Sequence, residues 1–215
     1  MKKALVLASS RGIGRGIADS LSELDLNVIR ISTNELDTSN IDSVDKFIEK
    51  QKKTDILVLN TGGPPAQEFS EITKDDCDKY HNQLFYSFFR ILQKIEIIDN
   101  GFIFLITSFN VKEPNPKLLL SNAYRVAFIS VLKCLSKDLA KRGITTIGIA
   151  PGPIKTDRLN SLVADMAQFE SQLPLGRAGE TKEIGSFVKS VVENNIKYLN
   201  GVTINFDGGL SNNLF

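Results

Sequence analysis

Two short stretches of this 215-residue chain combine residue types that could do chemistry. The first, Ser9-Ser10-Arg11-Gly12-Ile13-Gly14, follows a brief apolar run and leads into Ile13, Ile17, Leu21 and Leu24, an apolar stripe at helical spacing. A helix that starts at such a turn presents unpaired N–H groups and a partial positive charge, and its glycines let the backbone approach a phosphate. A glycine-bearing turn is also an ordinary tight connection, so taken alone it leaves both readings open. The second stretch is Ser121-Asn122-Ala123-Tyr124-Arg125. On a helix, Ser121, Tyr124 and Arg125 would project from neighbouring turns of roughly one face, and Asn122 with Arg125 could hold a carboxylate or phosphate of a ligand. His81, the single histidine, reads as a surface or locally satisfied residue rather than a general acid.

Alternating strands and helices must position these stretches. Residues 3–8 form a short apolar strand and 27–32 a second, after which Ile41, Val44, Phe47 and Ile48 mark an amphipathic helix. Residues 55–60 make a buried-type strand that ends at Thr61-Gly62-Gly63-Pro64-Pro65, a helix breaker and loop. A long helix is expected over 75–98, then a strand over 102–107. A proline-bearing loop from Glu113 to Pro116 leads to a helix over about 120–141 with Phe128, Val131, Leu135 and Leu139 on one face. A strand over 145–149 ends at Pro151-Gly152-Pro153. A polar, helix-prone stretch, a helix carrying Ile184, Phe187 and Val191, and a last strand over 202–206 complete the chain. This alternation predicts an α/β fold: a doubly wound, Rossmann-type parallel sheet covered on both faces, in a single domain over 1–215.

Composition narrows the function classes. With 42% hydrophobic residues the chain can bury one sizeable core. A formal charge of +1 with scattered Lys and Arg carries no electrostatic footprint of a nucleic-acid or anionic-membrane binder. Cys77 and Cys134 lack ligand spacing, so no metal site is expected, and both fit packing roles in a reduced, cytoplasmic protein. The apolar run after Met1-Lys2-Lys3 stops after five residues, too early for a signal peptide.

The strand ends, read together, resemble a known family. Asn60-Thr61-Gly62, Thr107-Ser108, Pro151-Gly152-Pro153-Ile154-Lys155-Thr156 and Asp207-Gly208-Gly209-Leu210 follow the glycine turn in an order similar to the short-chain dehydrogenase/reductase family, and within it to 3-oxoacyl carrier-protein reductases, from about residue 3 to 210. The resemblance implies that Ser10, Arg11, Gly12, Ile13 and Gly14 hold a dinucleotide pyrophosphate. It places Asn60, Thr61 and Gly62 on the adenine-ribose side, and Pro151, Gly152, Ile154 and Thr156 at the nicotinamide carboxamide. Ala8 stands where the family has its first glycine, which tightens the space beside the phosphates. The link from the second strand to Asp37-Thr38 is too short for the family's intervening helix. Asp37 is then either the family's acid beside the adenine or a surface acid leading into the next helix.

Charge argues the cofactor type. An acid at the end of the second strand suits a dinucleotide without a 2′-phosphate, and repels one that has it. Here the strand ends in Ser32-Thr33-Asn34 with no acid before Glu35, and Arg11 sits in the turn. NADP(H) is therefore expected over NAD(H), unless Arg11 is only a solvated turn residue.

The family reduces a carbonyl with Ser and Tyr hydroxyls, a Lys four residues after the Tyr, and an Asn on the preceding helix. Ser108 matches the Ser; the Tyr and Lys positions fall on Ser121 and Arg125, and the Asn position falls near Gln83, with Asn82 one place before. An aliphatic hydroxyl lacks a phenol's pKa of about 10, and Arg stays charged. Tyr124 is a candidate displaced acid, or a core or interface tyrosine. Gly62-Gly63-Pro64-Pro65 and Leu120-Ser121-Asn122 with Arg125 resemble a divergent branch of the family with Ser-Asn-x-x-Arg in place of Tyr-x-x-x-Lys. The expected function is NADP(H)-dependent reduction of a carbonyl, 3-oxoacyl-like or a small ketone, with Ser108, Ser121, Tyr124 and Arg125 in the catalytic slot. The alternative is a non-catalytic NADP(H)-binding sensor or regulatory subunit. By resemblance the two long helices, with Phe85, Phe88 and Phe89, form a homodimer or homotetramer interface; a core role explains these aromatics equally well.

Overall fold

A computed structural model describes residues 1–214. Apolar, β-branched runs form six strands: β1 (Lys2–Leu7), β2 (Leu26–Ile31), β3 (Lys53–Leu59), β4 (Glu96–Ile106), β5 (Thr145–Pro151) and β6 (Val202–Phe206). All pair in parallel, in the order β2-β1-β3-β4-β5-β6. The helices are α1 (Gly12–Leu21), α2 (Ile41–Lys50), α3 (Lys74–His81), α4 (Ser87–Lys94), α5 (Leu119–Ala140), α6 (Asp157–Leu162), α7 (Met166–Ser171) and α8 (Thr181–Glu193).

Each face of the sheet has its own core. On one, Leu5, Leu57, Leu59, Ile103 and Leu105 meet Val44 and Phe47 of α2, Phe88 and Ile91 of α4, and Phe128 and Leu132 of α5. On the other, Val6, Val58, Phe104 and Ile149 meet Ile17 and Leu21 of α1 and Ile184 and Val188 of α8. A parallel sheet buried on both faces reads as continuous apolar runs, as its four central strands do here. The segment Pro116–Ala140 is long and apolar enough to cross a bilayer, but Leu120, Phe128 and Leu132 turn one face of it into the protein.

Two expectations need correction. The long helix over 75–98 is divided: α3 gives way to a π-helical turn, Asn82–Tyr86, then α4, and the chain is extended from Ile95. Residues Glu96 and Ile97 belong to β4, paired with Lys53 and Thr54, and a register shift with Asn100 at φ 61° separates them from Phe102–Ile106. The run Ile95-Glu96-Ile97-Ile98 satisfies a helical stripe as well as a strand, and pairing with β3 decides between them. Cys134 is exposed rather than packed, while Cys77 is half-buried. The missing helix before Asp37 is as expected: residues 32–40 form only a compact turn, in which Leu36 plugs into the core.

This topology sets the site. The chain leaves β1 for β2 on one side and returns to β3 on the other, so a crevice opens at the carboxyl ends of β1 and β3, where doubly wound sheets bind ligands.

Candidate active site

The end of β1 turns sharply into α1. Ala8 is held at φ 48°, a region glycine occupies freely, so a backbone requirement accompanies the family's first glycine. Gly12 takes φ 56° to start the helix. Arg11 caps α1 with no side-chain hydrogen bond, and no acid stands in its first turn, which leaves the helix-end N–H groups open to an anion. Gly14 lies against the end of β1: a Cβ there would sit 2.3 Å from the Ala8 carbonyl oxygen and 2.8 Å from Asn60 Nδ2. Its role is close packing of helix on strand.

A groove of about 500 Å³ runs from this turn, lined by Ser10, Arg11, Gly12, Ile13, Thr33, Asn60, Thr61, Gly62, Thr156 and Arg158, among others. It shares Asn60, Thr61 and Gly62 with a hollow of about 130 Å³ lined also by Leu36, Asp37, Thr38 and Gln83. Asn60 Nδ2 donates to the carbonyls of Leu7 and Ala8 at 3.3 and 3.4 Å, tying β3 to β1 across the crevice. Most of the expected cofactor residues thus meet on one surface. Asp37 reaches the hollow, with Oδ1 accepting from Ser39 N and Oγ at 2.9 and 2.7 Å.

Pro151, Gly152 and Ile154 do not line the groove. Gly152 N donates to Phe206 O at 3.1 Å and Ile154 packs into the core, so these residues build the turn that delivers Thr156 beside Gly12. A separate cavity of about 350 Å³ behind that turn is lined by Ile154, Leu173, Leu175, Arg177 and Phe206, by the Gly208-Gly209 turn, and by Glu183 in the first turn of α8.

The reading of an acid-free end to β2 is also corrected. The turn at 32–40 folds Glu35 back, and its carboxylate accepts from Ser32 N at 2.9 Å and Ser32 Oγ at 2.7 Å. These bonds hold its pKa below the ordinary carboxylate value. Ser32 is engaged here and does not line the groove.

At the position expected to be catalytic, Arg125 is buried on the inner face of α5. Its Nε donates to Ser121 Oγ at 3.2 Å, Nη1 to Ile106 O at 3.0 Å and Nη2 to Thr61 O at 3.5 Å. Burial, and secondarily the charge of Arg158, lowers its pKa to about 10, which leaves it protonated at neutral pH. Ser108 is half-buried at the end of β4 and caps the 3₁₀ turn Phe109–Val111, accepting from Asn110 N at 3.2 Å. Gln83, in the π-helical turn, donates to Gly62 O at 3.0 Å.

Tyr124 points elsewhere. It packs with Tyr80, Leu84 and Leu120, and its hydroxyl donates to Cys77 O at 3.1 Å on α3. Burial first, and then the Cys77 contact, raises its pKa above the ordinary phenol value. Asn122 Nδ2 donates to Asn115 O, so Asn122 and Arg125 do not form one ligand pair with a shared target. His81 lies among the rings of Phe85, Tyr86 and Tyr124. Phe88 is buried in the core, with Phe85 and Phe89 packed against it.

Sequence reasoning missed Arg158, in the first turn of α6, whose guanidinium donates to Gly63 O and Pro64 O at 2.8 and 2.7 Å. No local pattern marks it, because its partners are 94 and 95 residues away.

Comparison with known proteins agrees with this architecture. Residues 35–211 match the family described as enoyl-(acyl carrier protein) reductase. The 3-oxoacyl-(acyl-carrier-protein) reductase FabG of Haemophilus influenzae is 30% identical over 240 aligned residues, covering 97% of this chain and 98% of that protein. FabG of Staphylococcus epidermidis is 28% identical with the same coverage. These alignments are longer than the chain, so the relatives carry stretches that it lacks. Among solved structures, a blue fluorescent protein from a metagenomic library, in complex with NADPH, is 25% identical with a TM-score of 0.87 over 98% of both chains. A dehydrogenase/reductase from Sinorhizobium meliloti is 25% identical with a TM-score of 0.85, over 98% of this chain and 95% of that one. The chain belongs to the short-chain dehydrogenase/reductase family and is 3-oxoacyl-acyl-carrier-protein-reductase-like.

Proposed function

We propose that this oxidoreductase-family protein binds NADP(H) in the groove and reduces a carbonyl compound, 3-oxoacyl-like or a small ketone, with Ser108, Ser121 and Arg125 in place of the usual Ser, Tyr and Lys. The observation that carries this reading is the hydrogen bond from the buried Arg125 to Ser121 Oγ. The groove fits a dinucleotide: the uncapped end of α1 and the close approach of Gly12 suit a pyrophosphate, and the hollow beside Asp37 and Asn60 suits an adenosine. The NADPH complex of the metagenomic relative supports the phosphorylated cofactor. When bound, such a cofactor supplies hydride to a carbonyl carbon.

The chain's residues then have to manage the oxygen. Ser121 Oγ accepts from Arg125, which leaves its own O–H free to donate to a substrate oxygen. The fixed guanidinium charge stabilises negative charge as it develops there. Neither group releases a proton readily near neutrality, so the proton that completes the alcohol comes from water entering the groove, and turnover is slow compared with a phenol-based site. Tyr124, bonded to Cys77 O, positions α3 against α5.

The second reading, a non-catalytic NADP(H) sensor or regulatory subunit, is favoured by the same missing phenol. NADPH oxidation against a panel of ketones, quinones and 3-oxoacyl thioesters separates the two. Turnover that falls in Ser121→Ala supports the reductase, and tight NADPH binding with no turnover on any substrate supports the sensor. Exposed Val126 and Leu135 on α5 and Tyr86 beside α4 offer apolar surface to a homodimer or homotetramer, to be checked by sedimentation, and the free Cys77 and Cys134 fit a cytoplasmic location.

A further inference from the structure

Arg158 spans the groove. It starts on the first turn of α6, beyond Thr156, and reaches the Gly63-Pro64 loop that follows β3, fastened by two charge-assisted bonds of 2.8 and 2.7 Å to carbonyls. Among the described residues it joins no ion pair. Arg125 stands behind the same loop: a Cβ on Gly63 would lie 3.4 Å from Arg158 Nη2 and 3.5 Å from Arg125 Nη2. Burial first, and then the charge of Arg158, lowers the pKa of Arg125. Across the groove lies Arg11 at the open end of α1, and Asp157 is the one acid in the groove lining. Arg11 and Arg158 in the lining, with Arg125 behind the loop, outnumber Asp157 and leave a net positive field.

A dinucleotide pyrophosphate carries two negative charges, while a helix end supplies roughly half of one positive charge. We propose that Arg158 is a positioning residue that latches the pyrophosphate of the bound dinucleotide, closing the groove between α6 and the Gly63-Pro64 loop. This assignment rests on the dinucleotide reading of the groove. Arg158 keeps N–H groups beyond the two used on the carbonyls, since a guanidinium has five, so it can contact a phosphate without releasing the loop. The latch acts on a part common to NADPH and NADH, and it therefore sets affinity without setting preference.

The test is calorimetric titration of the full chain with NADPH and NADH, together with competition by adenosine 2′-monophosphate, which lacks the pyrophosphate, in the parent, Arg158→Gln and Arg158→Lys. Arg158→Gln is expected to weaken both dinucleotides by the same factor, about tenfold to a hundredfold, and to leave adenosine 2′-monophosphate within about twofold. Arg158→Lys recovers part of the loss because it keeps the charge and loses the fork. Unchanged dinucleotide affinity in Arg158→Gln overturns the latch. An equal loss for adenosine 2′-monophosphate also overturns it, since Arg158 would then only shape the loop around Asn60 and Gly62. If the parent binds neither dinucleotide, the reading of the groove fails and the latch fails with it.

Discussion

Gly14→Ala tests whether the packing of α1 sets both the fold and the groove. The added Cβ would lie 2.3 Å from Ala8 O, 2.9 Å from Ala8 C and 2.8 Å from Asn60 Nδ2. Ordinary contact begins near 3.4 Å, so α1 must retreat by roughly 1 Å or distort. Ala8 is backbone already held at φ 48° and yields little. On its other side α1 is pinned against α8, where Gly185 brings the two backbones together: a Cβ there would sit 2.2 Å from Gly16 O. Overpacking of this kind costs about 1–3 kcal/mol, and a backbone clash this short belongs at the upper end. Alanine's better helix propensity returns about 1 kcal/mol. The net loss is about 2 kcal/mol, or a drop in Tm of about 4–8 °C for a chain of this size. Because the same Cβ displaces Asn60, which bridges Leu7 and Ala8 and lines the groove, NADPH affinity should fall by about tenfold, the effect of losing one or two hydrogen bonds. Urea unfolding followed by circular dichroism, with calorimetric NADPH titration of the same sample, reads both. Parental stability together with parental affinity would refute the packing argument. Gly12→Val is a poorer probe, because Gly12 at φ 56° would strain any side chain whether or not a phosphate binds there.

Ala8→Gly should stabilise the protein by about 1 kcal/mol by relieving the left-handed backbone, read as a rise in the urea midpoint; no rise would mean that the turn carries no strain. Glu35→Gln removes a carboxylate from the end of β2 and should raise NADPH affinity several-fold relative to NADH by taking away repulsion of the 2′-phosphate; an unchanged ratio in parallel titrations would place the phosphate elsewhere. Tyr124→Phe should cost about 1 kcal/mol of stability through the lost bond to Cys77 O and leave turnover unchanged, whereas a collapse of turnover would make Tyr124 a proton donor. Glu183, bonded chiefly to Arg177 and then to Glu180 N, has its pKa lowered to about 2. Its folded pKa is below the ordinary 4.5, so its contribution is present above pH 4.5 and is lost as pH falls toward 2. After solvent screening that contribution is about 1 kcal/mol at most. The stability advantage of the parent over Glu183→Gln should shrink across that window, and a constant difference would count against the pair.

The alternation of strands, the glycine turn and the missing helix after β2 were legible because each rests on local chemistry: apolar runs, backbone permissiveness and a link too short to hold a helix. The pairing of Ser121 with Arg125 on one face of α5 was equally legible, since spacing along one helix survives folding. Tertiary structure alone decided the rest. Ile95 to Ile98 suited helix and strand alike until β3 offered hydrogen-bond partners to Glu96 and Ile97. Glu35 changed the charge at the end of β2 only because a compact turn folded it back on Ser32. Tyr124 shares a helix with Arg125, yet its hydroxyl went to Cys77 because the packing of α3 against α5, rather than spacing along α5, sets which acceptor lies within reach. Arg158 became part of the groove through carbonyls 94 and 95 residues away. Local propensity acts over a few residues, whereas hydrogen-bond partners and uncompensated charge are set by contacts that exist only once the chain has folded.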